Sequence, residues 1–482
     1  MKQTNSIYRK WLLVITIIFL WVPSYAAQHS IDVHAIAYGD RFTIYQFAAK
    51  NANNVHATVS DDIINNHQSA AKGIHQFKTG VTSYVHEYAA EDTLPIHQPA
   101  IQNTIHIPQT ASQDTTYIHQ LLLRIARIQS KNNKKFSDGI FPSWREYAQH
   151  KDVYKADENV FYTGLVVFTL RKYYHLLPHT DQQICDSIFE RAKPVFAKFK
   201  NTKGRPTYNF WRTDKPEVFP NSGFLNLFNK TQNLPDDADD TVITLLALDT
   251  PDSIAQYIHQ LLIQHANKSH LQIKNTFPAY QNLAAYSTWF GEKMPIDFDV
   301  CVLSNILYFV NHYQLPWSLQ DSASFQLIKL AILQNQHLKE AAYISPHYHR
   351  SAIVVYHLAR TLSLIKNDAA DSMRVILIQD ATKLFQSSEN IMDKILLNSA
   401  LQYLDEKPLL MQLPETDNIK DEIERSDFVF FIADMASMLS DRNRKLLSKT
   451  ALLRFNYYCP AYNIALLLEC LLLQQQMSSQ LH

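Results

Sequence analysis

The sequence predicts an all-α protein: a closed ring of helical hairpins behind a small irregular N-terminal segment, with one short late β-hairpin. Three observations point there. Glycine is scarce, at 8 of 482 residues, against the ~7% of ordinary chains, and sheet-rich folds need it at turns and bulges. From Asp114 onward, apolar residues recur at helical spacing. The helices also alternate between very apolar and amphipathic, with pairs ~40–60 residues apart, the mark of a hairpin array. A linear solenoid is the alternative, but its short-period consensus signatures are missing.

The N-terminus reads as an export signal. Lys2, Arg9 and Lys10 form a basic region, Trp11 to Val22 an apolar core, and Ser24-Tyr25-Ala26 a small-x-small cleavage pattern after Pro23. Residues 1–26 are therefore expected to be a signal peptide cut after Ala26, leaving a periplasmic or secreted chain. The apolar core falls short of the roughly 20 residues that span a bilayer, so no permanent membrane span is expected. Residues 27–113 differ from the rest. Ile31 to Phe47 alternates loosely and suggests short strands, while residues 50–113 are polar and aperiodic, as in a linker or arm.

The helical domain is expected over 114–482. Tyr117, Leu121, Ile125 and Ile128 share one face. A second helix starts near Asp157 and ends before Pro178. Others are predicted at about 181–199, 239–249, 252–266, 298–313, 320–334, 350–366, 370–386, 389–404 and 461–475, many opening with Asp, Ser or Pro. Val302 to Val310 and Ile464 to Leu473 are apolar on most sides, which assigns them to an inner layer. Phe428 to Ile432 reads as a strand paired with Leu452 to Tyr458.

Formal net charge is zero with a pI near 7.3, which argues against nucleic acid, where phosphate neutralisation dominates binding. No glycine-rich phosphate loop, G-x-S-x-G elbow or H-E-x-x-H pair is present. The 25 Phe and 25 Tyr imply a thick core or an aromatic-lined cavity. Cys185, Cys301, Cys459 and Cys470 are scattered, two of them inside apolar helix patterns, and read better as buried thiols than as disulfides.

The sharpest local feature is Asp236-Asp237-Ala238-Asp239-Asp240-Thr241, which runs into an apolar helix. Crowded carboxylates cannot all ionise, so one keeps its proton and becomes a general acid. The same residues suit a helix N-terminus, which they cap and whose dipole they complement. They also suit Ca²⁺, a hard cation with oxygen ligands.

Asp237-Ala238-Asp239-Asp240-Thr241 resembles the D-x-D-D-T element of class II terpenoid cyclases, whose architecture is the α/α toroid. The resemblance implies that Asp239 is the proton donor, with Asp237 and Asp240 tuning it. Asp299-Val300-Cys301 and the later His349 are similar to the zinc-holding Asp-x-Cys and His of protein prenyltransferase β-subunits, members of the same superfamily. That likeness implies Asp299, Cys301 and His349 as Zn²⁺ ligands with an open fourth position; read from the residues alone, Cys301 is core and His349 one histidine of 21.

Secondary candidates are Asp157, Glu158, Asn159 and Tyr162, which open an apolar helix as caps or cavity residues. Trp144 with Arg145, and Trp211, Trp289 with Phe290, and Trp317, stand in expected loops as core aromatics or stacking platforms. Ser345-Pro346-His347-Tyr348-His349 is a histidine-rich helix entry. Three function classes follow: a cyclase or prenyltransferase-like enzyme using Asp237, Asp239 and Asp240 on an apolar ligand; a carbohydrate-active enzyme with an Asp pair across a cleft; and a non-catalytic binding or scaffold protein. No cofactor is assigned.

Overall fold

The computed structural model describes residues 31–38, 41–48, 104–105, 111–131, 134–215, 235–291, 294–411, 413–414 and 421–480. The expected signal peptide and most of the expected linker lie outside them. The chain divides into two compact units, Met1–Tyr88 and Ala89–His482.

In the first unit, β1 (Ile31–Tyr38) and β2 (Arg41–Ala48) pair antiparallel, with Ile31 opposite Ala48 and Tyr38 opposite Arg41. These are the strands expected from the alternation of Ile31 to Phe47.

The second unit holds the described helices, and the protein is mostly helical, 59% in all. Its first elements are β3 (Thr104–Ile105) and α1 (Ala111–Ile128), then β4 (Ser143–Tyr147) and β5 (Tyr154–Asp157). Helices α2 (Val160–Tyr173), α3 (His179–Phe196), α4 (Ala238–Leu248), α5 (Asp252–Gln264), α6 (Val300–His312) and α7 (Leu319–Leu333) follow. Next come α8 (Ser351–Leu362), α9 (Asp368–Ser387), α10 (Ile391–Tyr403), β6 (Leu413–Pro414), β7 (Phe431–Asp434), α11 (Asp441–Leu447), β8 (Arg454–Tyr458) and α12 (Pro460–Gln480).

Even-numbered helices are the apolar ones. In α6 every residue from Val300 to Val310 is buried, and in α8 every residue from Ala352 to Leu362. A helix apolar all round must be covered on all sides, and these cover one another: α2 packs on α4, α4 on α6, α6 on α8, α8 on α10, α10 on α12 and α12 on α2. Amphipathic partners sit outside, with α1 on α12, α3 on α1 and α2, α7 on α6, and α9 on α7, α8 and α10. β3 pairs with β6.

The starts of the even helices meet. Phe161 of α2 lies 6.5 Å from Tyr348, just before α8. Asp299, before α6, accepts from Ser345 and His347. Tyr162 packs on Tyr462 of α12, and Arg350 pairs with Asp393 of α10. Their far ends also meet: Arg171 at the end of α2 donates to the Ala247 carbonyl at the end of α4.

The remaining sheet is four-stranded and antiparallel, ordered β5-β4-β8-β7. The expected late strand pair is present as its β7–β8 half, with Phe431 opposite Tyr457, but the first strand starts at Phe431 rather than Phe428, and α11 lies between the two, so they do not form a hairpin. Its other half corrects the sequence reading, which left Phe141 to Glu146 as a loop. Ser143 to Tyr147 is short and charged, and it becomes a strand only through its partner β8, some 310 residues away. Glu146 fits there because Tyr458 Oη donates to it at 2.6 Å.

Candidate functional site

The site is built at the joined starts of α2, α4, α6 and α8. Each needs a cap, because the first backbone N–H groups of a helix have no partner within it. Asn159 caps α2, accepting from Tyr162 N. Asp237 caps α4, accepting from Asp240 N at 2.7 Å. Asp299 caps α6, accepting from Cys301 N at 2.8 Å and Val302 N at 3.2 Å. Capping therefore brings side-chain oxygens from several helices to one end.

The four aspartates of 236–240 divide the work. Asp236 is tied to the loop before it: Asn201 Nδ2 donates at 2.5 Å and Thr207 Oγ1 at 2.6 Å. Asp237 is the cap, half-buried, and its backbone bridges to Trp289. Asp239 and Asp240 are buried. Asp239 points inward, where Asn305 Nδ2 of α6 donates to its Oδ1 at 2.6 Å and the Tyr348 hydroxyl to its Oδ2. Asp240 Oδ2 has no hydrogen-bond partner.

These surroundings set the charges. Burial lifts the Asp239 carboxyl to about 7, opposed by the bonds from Tyr348 and Asn305 and reinforced by Asp237 and Asp299. Burial and then Asp237 hold Asp240 well above the carboxylate range, and burial raises Asp237 and Asp299 too. The charge of Asp237 raises the proton affinity of Asp240, so the two do not readily ionise together. Burial alone would lower His347, but a contact with Asp297 at 3.4 Å, together with Asp299 and Asp237, lifts it to about 9. Asp237, His347, Trp289 and Phe431 are half-buried. His347 meets Trp289 edge-on and lies near-parallel to Phe431.

Below Asp239 the space between the even helices is filled by polar groups. Arg360 of α8 donates to Asn305, Tyr356 Oη donates to Glu469 of α12 at 2.6 Å, and Tyr403 and Tyr173 close on the same carboxylate. Polar side chains therefore stand directly below Asp239. A cavity of about 260 Å³ opens beside Asp236 and is lined by Asn201, Lys203, Arg205, Asn209 and Phe290 among others.

The zinc set is not assembled. Asp299 is occupied as a cap, Cys301 is buried in α6, and His349 faces Asp434 at 2.9 Å. Among the described residues no three His, Cys, Asp or Glu side chains are gathered to hold a metal ion, so the Ca²⁺ alternative gains nothing either. All four cysteines are free and buried.

The secondary candidates serve structure. Asp157 accepts from Trp211 Nε1 at 3.1 Å and lies 3.4 Å from Arg145, which joins Trp144–Arg145 and Trp211 to the base of α2. Glu158 lies 3.6 Å from Arg212, and Trp317 is partly exposed on Phe325. Sequence reasoning missed Asp297, Asn305 and Arg360. Asp297 carried a signal, two positions before a helix cap; Asn305 and Arg360 stood as polar residues inside apolar helices. Comparison with family models, curated proteins and solved structures finds no match to this chain.

Proposed function

We propose that this is an exported enzyme of α/α-toroid type, using the Asp237–Asp239–Asp240 cluster for acid–base catalysis on a polar, carbohydrate-class substrate. The toroid reading is supported by the cycle of contacts that leaves α2 and returns to it through α12. The observation that carries the catalytic reading is Asp239: a buried carboxyl at the joined helix starts, with a proton affinity lifted to about 7, suited to donate a proton near neutral pH. Its neighbours Asp237 and Asp240 are raised as well, by burial and, at Asp240, by the charge of Asp237.

The substrate class follows from polarity. Terpenoid chemistry needs an apolar enclosure, whereas the space below Asp239 is occupied by Arg360, Glu469 and three tyrosines. Half-buried Trp289 and Phe431 stand beside a cationic His347, a combination that suits a sugar ring. A non-catalytic scaffold is the second reading, favoured by Asp237 acting as a cap.

The test is turnover. Purified protein is incubated with neutral and acidic polysaccharides and, in parallel, with isoprenoid diphosphates and squalene. Cleavage of a saccharide by wild type and its loss in Asp239→Asn supports the proposal. Isoprenoid cyclisation would restore the cyclase reading, and no turnover of any substrate would leave the scaffold.

A further inference from the structure

Resting on the reading of Asp239 as the acid, we propose that Arg360 is a positioning residue that acts through Asn305 to fix which oxygen of Asp239 holds the proton and how tightly. Arg360 is 1% exposed, and Glu469 is the carboxylate that acts on its charge. Its guanidinium rests against the faces of Phe168, Tyr308 and Tyr356 at 5.2–5.6 Å, and its Nε has no hydrogen-bond partner. A buried cation held this way is costly. Glu469 balances it at one remove: Arg360 donates to Tyr356 Oη at 3.4 Å, and Tyr356 Oη donates to Glu469 at 2.6 Å.

The other end of the guanidinium does something specific. Arg360 is donor only, so the Asn305 amide must turn its carbonyl oxygen toward it. The Asn305 NH₂ is then forced to face Asp239 Oδ1, 2.6 Å away. An amide NH₂ accepts no proton, so Oδ1 always receives a hydrogen bond and the proton of Asp239 is confined to Oδ2. That oxygen faces the Tyr348 hydroxyl, which donates to it when it is ionised and turns to accept when it carries the proton; the Tyr348 ring packs against Phe161 and Phe431. A free Asn305 would flip, offer its carbonyl to a protonated Oδ1, and trap the proton on the inner side. The ionisable groups around Asp239 are Asp237 and Asp240 on its own helix, Asp299 and Cys301 at the start of α6, and Tyr348 before α8. None of these touches Asn305 through a described hydrogen bond, so once Asp239 is protonated and can donate as well as accept, the orientation of the amide rests with Arg360.

Infrared difference spectroscopy follows the protonated-carboxyl band that Asp239→Asn removes. In Arg360→Met its titration midpoint should rise by a unit or more, and in Arg360→Lys, which restores a donor and a charge, it should return most of the way. An unchanged midpoint in folded Arg360→Met overturns the inference while leaving the acid reading intact. If that variant does not fold, Arg360→Met with Glu469→Gln removes both charges together and is read the same way. A wild-type protein with no such band near neutrality would sink the acid reading first, and the inference with it.

Discussion

Replacing Asp239 by asparagine should stabilise the fold at alkaline pH, the opposite of what removing a structural carboxylate does. The side chain is buried, and its proton affinity is lifted from 3.8 in the unfolded chain to about 7 in the fold. Its stabilising contribution is therefore fully present below pH 3.8 and is lost as pH rises through 7. Each unit corresponds to about 1.4 kcal/mol, so the shift costs the wild type up to roughly 4 kcal/mol at pH 8. Asparagine is neutral throughout and nearly isosteric. It can keep its carbonyl toward Asn305 Nδ2 and turn its amide to the Tyr348 hydroxyl, which switches from donor to acceptor. Urea unfolding of both proteins at pH 4 and pH 8 measures this. The two should be within ~1 kcal/mol at pH 4, and the variant should be more stable by roughly 1–4 kcal/mol at pH 8. An Asp239→Asn protein less stable than wild type at pH 8, or a difference that does not change with pH, would refute the reasoning.

Four further outcomes follow from the same geometry. Asp299→Ala strips an acceptor from Cys301 N, Val302 N, Ser345 Oγ and His347 N; loss of the cap and of two more buried partners should cost about 3–5 kcal/mol in urea unfolding. His347, lifted from 6.5 to about 9, stabilises fully below pH 6.5, and the loss as pH rises through 9, about 3 kcal/mol, should vanish in His347→Gln. Gly139 has φ +86°, and a Cβ there would lie 1.9 Å from the Arg191 carbonyl oxygen, so Gly139→Ala should lower stability by roughly 3 kcal/mol. Burial pushes Cys185, Cys459 and Cys470 up to about 12 and holds Cys301 well above the usual thiol range. A thiol reagent should therefore find none of the four in the native protein and all four in denaturant.

The helices were legible because each even helix must be covered on all sides, and that requirement is written in runs such as Val302 to Val310. Observed ends fall within a few residues of those expected: α4 at 238–248 against 239–249, and α12 starting at 460 against 461. The strand pair was legible in part: Phe428 to Ile432 is an unbroken β-branched and aromatic run, but the strand forms over Phe431–Asp434, while its partner Arg454–Tyr458 falls inside the expected Leu452 to Tyr458. Strand β4 was not, since nothing local in Ser143 to Tyr147 favours a strand until β8 supplies its edge. In the site, the aspartates stood out as a cluster, and their burial beside a helix start followed. The orientation of Asp239 toward Asn305 and Tyr348 did not, because residues 66 and 109 positions away meet it only when the helices pack. The zinc likeness misled for the same reason: His349 shares a helix entry with Tyr348, yet its side chain is turned to Asp434.

The central claim is that Asp239 holds its proton close to neutral pH. Infrared difference spectra of wild type and Asp239→Asn, recorded from pH 5 to pH 9, test it directly. A protonated-carboxyl band that titrates near pH 7 in wild type and is missing from the variant is the predicted result. Identical spectra for the two proteins across that range would mean that Asp239 is already ionised at pH 5, and would contradict it.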